Sequence, residues 1–131
     1  ELFIGQGIRT SLETNGPDLL TKEAVCLKAS CGAGHLDSIF RGLARIDLEK
    51  PAPSFEPIRE RLEEMEDRES LCTIFFSADA RPEFQQLLEK FRKEKREFIW
   101  FCPVNRIIRP EINAGIRPYT RLIDVEEGGR L

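Results

Sequence analysis

One histidine and four cysteines are the residues of this 131-residue chain best suited to covalent or metal chemistry, and three of the five fall between positions 26 and 35. Cys31-Gly32-Ala33-Gly34-His35 puts a thiol, two glycines and the only imidazole into one short loop. A thiol at a helix N-terminus can be activated and a nearby imidazole can take its proton, which makes Cys31 a candidate nucleophile and His35 its candidate base. No third group is nominated to orient the imidazole, which leaves a catalytic constellation incomplete. The same loop, between a strand and a helix, is a candidate anion cradle. It matches neither G-x-G-x-x-G nor G-x-x-x-x-G-K-[ST], and two glycines in a tight turn serve geometry alone. Cys26-x4-Cys31-x3-His35 offers three zinc ligands without the C-x-x-C knuckles of strong zinc patterns. Cys26 also falls on an apolar segment, where a core role suffices. No cofactor is expected, and the missing C-x-x-C pair counts against a thioredoxin-type enzyme.

A second kind of chemistry is electrostatic. Net charge is −3, but residues 90–121 hold nine Lys and Arg against three Asp and Glu. Lys93, Arg96, Arg106, Arg109, Arg117 and Arg121 are the candidate binding residues of this region. Arginine is enriched at protein interfaces, and opposite charge steers docking. With Trp100 and Tyr119 among them, the same arginines suit phosphate contact and base stacking. A pI near 5.4 lies far below the basic range of nucleic-acid modules. The plain alternative is a solvated helix end that pairs with the acidic stretch 56–69.

The elements that must position these groups are legible from periodicity. Residues 71–104 read strand, helix, strand. Leu71–Phe76 and Phe98–Cys102 are near-continuous apolar runs, the pattern of strands covered on both faces. Between them Phe84, Leu87, Leu88 and Phe91 form one helical stripe, with Asp79 as cap and Pro82 in the first turn. A unit of this length makes a parallel crossover. Upstream, Leu2–Ile4 starts a strand that continues through Ile8–Leu12, residues 14–18 turn, and Ala24–Ala29 form another strand. Leu36, Ile39, Phe40 and Leu43 mark a helix. Residues 51–54 form a stiff connector. Ile58, Leu62 and Met65 form the narrow seam of an acidic helix. Residues 105–118, with Ile-Arg-Pro twice, read as an extended arm, and 119–125 as a last strand.

The expected fold is a single α/β or α+β domain spanning 1–131. It has a mixed sheet of five to six strands, about three helices and a central βαβ crossover at 71–104. Length suits one core. No apolar run approaches a membrane span, and no membrane partner is expected. Four cysteines are too few for a disulfide scaffold and suit a reducing, intracellular setting, cytoplasmic or nuclear; a Cys72–Cys102 bridge is the alternative for a secreted protein. Starting at Glu1, with Met65 the only methionine, the chain reads as a domain excised from a larger protein. The functional expectation is a non-catalytic protein–protein interaction domain. The alternatives are single-stranded nucleic-acid binding through 90–121 and a thiol or phosphate-ligand enzyme at Cys31–His35.

Overall fold

The computed structural model describes residues 2–50, 54–64, 72–105, 107 and 109–125. The expected single sheet of five to six strands is not formed among them. Five strands are divided between two sheets, one of two strands and one of three. The chain separates into two compact units, Glu1–Glu64 and Met65–Leu131.

The first unit holds a helical turn α1 (Leu2–Gly5), strands β1 (Thr10–Pro17) and β2 (Ala24–Ser30), and helices α2 (Ala33–Ala44) and α3 (Glu56–Glu64). Leu2–Ile4 is therefore helical rather than extended. The reversal falls at 18–23 instead of 14–18, and Asp18 sets it. Its carboxylate accepts the Leu20 and Thr21 amides at 2.7 and 3.3 Å. Arg45 Nε donates to the other carboxylate oxygen at 2.9 Å. Asp18 is also the first residue after β1, so this side-chain turn takes over where strand pairing stops. The β1–β2 hairpin is antiparallel and irregular in register. Gly42 brings α2 against Val25, where a Cβ would stand 3.0 Å from the valine side chain. Ile58 and Leu62, the predicted seam, are buried on α3. Met65, the third residue of that seam, lies outside the described residues, as does the connector segment 51–53.

The second unit contains β3 (Thr73–Phe76), α4 (Pro82–Lys93), β4 (Phe98–Val104), a 3-10 turn (Arg117–Tyr119) and β5 (Thr120–Asp124). β4 lies between β3 and β5 and is parallel to both. The stripe Phe84, Leu87, Leu88 and Phe91 is buried as its spacing predicts. It meets the sheet edge-to-face: ring centroids are 5.7 Å apart for Phe75–Phe84 and 5.1 Å for Phe84–Trp100. Asp79 is not the cap residue. Arg81 holds that position, and Asp79 braces it by accepting the Arg81 amide at 3.0 Å.

β4 runs through Pro103, one residue beyond the predicted end. Proline is normally excluded from a central strand because it has no N–H. Here odd-numbered β4 residues bond toward β3, since the Thr73 and Ser77 amides donate to Glu97 and Phe101. Pro103 therefore faces the β3 side at a level where β3 has already ended.

The arm after β4 is anchored by a residue whose role its sequence context hides. Gln85, buried on α4, donates to the Ala80 and Glu111 carbonyls at 2.7 and 2.9 Å. It accepts the Asn113 amide at 2.8 Å. With these bonds, Ile112 and Ile116 are held buried in the same stretch.

Candidate functional site

The Cys31–His35 loop is fixed at Gly32 and at His35. Gly32 is the residue before α2 and takes φ 92° and ψ 170°, a conformation essentially reserved to glycine. His35 Nε2 lies 2.6 Å from the Thr10 carbonyl oxygen. A carbonyl only accepts, so Nε2 carries the proton and the ring is tethered to β1. Cys31 is exposed. Among the described residues no three His, Cys, Asp or Glu side chains gather as a metal set. Cys26 instead lies against Arg61, whose Nη2 is 3.6 Å from its sulfur. Partial burial pushes the Cys26 thiol up.

Cys102 is buried and Cys72 exposed, just before β3 rather than inside a strand as expected. The register pairs Thr73 with Phe98, which leaves Cys72 well short of Cys102 along the sheet. None of the four cysteines is in a disulfide. Burial raises the thiol pKa of both Cys72 and Cys102.

The basic residues fall into two groups. Lys93 ends α4, and Arg96 follows its C-terminal turn with the guanidinium carbon 3.8 Å from the Phe91 ring centroid. Arg109, Arg117 and Arg121 gather around β5. Arg109 pairs with Asp124 at 2.7 Å. Arg117 donates to the Ile112 carbonyl at 3.0 Å. Arg121 donates through Nη1 to the Pro118 and Thr120 carbonyls at 3.0 and 3.1 Å. Arg106 lies outside the described residues. Arg117 also lines an open cleft of about 490 Å³ with Pro110, Glu111, Ile112, Asn113, Thr120 and Leu122. Trp100 is fully buried, its indole N–H on the Ser77 carbonyl at 2.8 Å; it offers no face to a base. Tyr119 is partly exposed and packs on Phe98 with ring centroids 5.0 Å apart.

The acidic helix spends charge locally. Arg59 pairs with Glu56 and Glu63, and Arg61 reaches Glu13 at 2.6 Å.

The most distinctive surface is one that sequence reasoning placed in the interior. α4 packs on the sheet face that carries Phe75, Phe98 and Trp100. By strand register the opposite face carries Ile74, Phe76, Ile99, Phe101, Pro103, Arg121 and Ile123. Ile74 is 47 % and Phe76 67 % exposed, while Ile99, Phe101, Pro103 and Ile123 are half-buried. Among the described residues of the second unit, a helix lies on one face of these runs only. Burial on either face gives the same run of apolar letters, so the run alone does not tell which face α4 takes. Phe40 and Leu43 are also exposed on α2, but they form a shorter stripe.

Among the described residues no helix is long and apolar enough to cross a membrane. The chain matches no family model, and no curated protein or solved structure is significantly similar to it.

Proposed function

We propose that this chain is a non-catalytic protein-interaction module of an intracellular protein and that the second unit carries its docking surface. One observation carries this reading: a three-stranded parallel sheet has its helix on one face and presents Ile74 and Phe76 to solvent on the other. Parallel sheets are covered on both faces in folded proteins. A contiguous exposed apolar surface with a polar border is the mark of an association site. Arg121 lies on this face as the charged contact that orients a partner. Arg109 and Arg117 stand by Asp124, Thr120 and Leu122, which register on the α4 side, and add positive charge that steers approach. Single-stranded nucleic-acid binding by the same arginines is the weaker reading, because Trp100 is buried.

The test is affinity capture from nuclease-treated lysate with the wild-type chain, Phe76→Asp and the Arg109→Glu/Arg117→Glu pair. Proteins retained by the wild type and lost from Phe76→Asp support the assignment. Phe76 is mostly exposed, so the variant keeps its fold, checked by its melting curve. Reversing Arg109 breaks an exposed ion pair worth about 0.2–1 kcal/mol, and reversing Arg117 removes its bond to the Ile112 carbonyl, worth about 0.5–1.5 kcal/mol, so that variant melts somewhat below the wild type and binds less while still folded. Partners that vanish with nuclease, together with recovered RNA or DNA, overturn the assignment in favour of the basic region.

A further inference from the structure

Resting on the protein-binding reading, we propose that the occupant of the open sheet face is an amphipathic helix of a partner protein, with a carboxylate placed beside its apolar stripe to meet Arg121. Shape, backbone chemistry and charge point to the same occupant.

The face is three strands wide, about 10 Å between the outer strand axes, and a helix with side chains is about 10–12 Å across. β4 spans seven residues, about 23 Å at 3.3 Å each, the length of about 15 helical residues. This face presents side chains, while the N–H and C=O groups of its strands point within the sheet plane. An extended segment laid upon it would bury its own backbone groups without partners. A helix has already paired them internally. The opposite face follows this rule: α4 covers it through Phe84, Leu87, Leu88 and Phe91.

Charge selects among helices and against a second copy of the chain. Arg121 is the one charged residue on the open face in the register of β3, β4 and β5. Its Nη1 is held by two carbonyls, and among the described residues no carboxylate pairs with it. Asp124 registers with Val104 on the α4 side and pairs with Arg109. Two copies joined through this face would bury both Arg121 side chains with no acid to receive them, which is costly. A partner bearing Asp or Glu beside its stripe supplies that acid.

The experiment uses the full chain and a fluorescein-labelled helical peptide of about 15 residues, with leucines at i, i+3, i+4 and i+7 flanked by glutamates. A twin peptide replaces those glutamates with lysines. The glutamate peptide is expected to bind more tightly than the lysine peptide by about fivefold. Arg121→Glu is expected to reverse that order, and Phe76→Asp to weaken both peptides by about tenfold or more. Equal affinities, or an order unchanged in Arg121→Glu, overturn the carboxylate. Undiminished binding to Phe76→Asp overturns the face. If neither peptide binds while captured proteins still depend on Phe76, the helix is wrong and the protein-interaction reading survives. A dimer in light scattering that Phe76→Asp abolishes overturns the partner helix in favour of a second copy.

Discussion

The indole N–H of Trp100 donates to the Ser77 carbonyl at 2.8 Å, the carbonyl that the parallel ladder would offer to the amide of residue 103. Ser77 itself donates to Phe101, so the next rung would run from position 103 back to Ser77. Pro103 has no hydrogen to give. A side chain from three residues earlier fills the missing rung, and the buried tryptophan thus lets a proline stand in a central strand.

Replacing Trp100 with Phe keeps an aromatic ring against Phe84 but strands the Ser77 carbonyl and leaves space in the core. The expected loss is about 2–4 kcal/mol in urea unfolding. Because Trp100 is the single tryptophan and is fully buried, native emission is expected to be blue-shifted and unchanged by added single-stranded oligonucleotide. A quench on titration with oligonucleotide would show that this ring is not sequestered.

Lys95 closes α4 in a position normally given to glycine. Its φ is 57°, its amide donates to the Arg92 carbonyl at 3.1 Å, and the Arg96 amide reaches back to Phe91 at 3.0 Å. Those paired bonds are a Schellman motif. Lys95→Gly is expected to stabilise the protein by about 1 kcal/mol by removing left-handed strain. Lys95→Ala, which keeps a Cβ, provides no such gain. Thermal melts of both variants separate the backbone effect from loss of charge.

Asp18 links the first unit to acid. The Leu20 amide is the largest influence that holds its carboxyl below the ordinary value; burial opposes it, and the Thr21 amide and Arg45 add to the lowering. A depressed folded value means the carboxylate contributes stability above the ordinary carboxyl range of about 4. That contribution fades as pH falls through the lowered folded value. Asp18→Asn keeps the oxygen that accepts Leu20 and loses the charge. The variant is expected to be less stable than wild type at neutral pH, with the gap narrowing as pH falls below about 4. A gap of constant size from pH 6 to pH 2, on the same scale of reference values, would show that the charge is not the source.

The two glycines of the Cys31–His35 loop have opposite requirements. Gly32 holds a positive φ of 92°, so Gly32→Ala costs about 1–3 kcal/mol. Gly34 lies in α2 with nothing within 4 Å of an added Cβ. Gly34→Ala is expected to be neutral or to stabilise by up to about 1 kcal/mol through helix propensity. Equal destabilisation by both would point to a tightly packed loop instead of one backbone requirement.

The sequence by itself determined the local elements whose signals are short in range. The Phe84-Leu87-Leu88-Phe91 stripe specified α4 and its buried side. The apolar runs specified two strands, and their separation by a helix implied parallel pairing, which the register shows. The Ile58–Leu62 seam marked the buried side of α3. Tertiary structure alone decided the rest. Strand partners are chosen by contacts between residues far apart in sequence, and an apolar run carries no label for its neighbour; the strands therefore settled into two sheets. Gln85 looks like a solvated helix residue until Glu111 and Asn113 come within hydrogen-bonding reach. Arg109, Arg117 and Arg121 are scattered letters until β5 gathers them. Ile74 and Phe76 read as core because an apolar run reports hydrophobicity and not coverage; α4 covers one face of the sheet, and Ile74 and Phe76 stay exposed on the other.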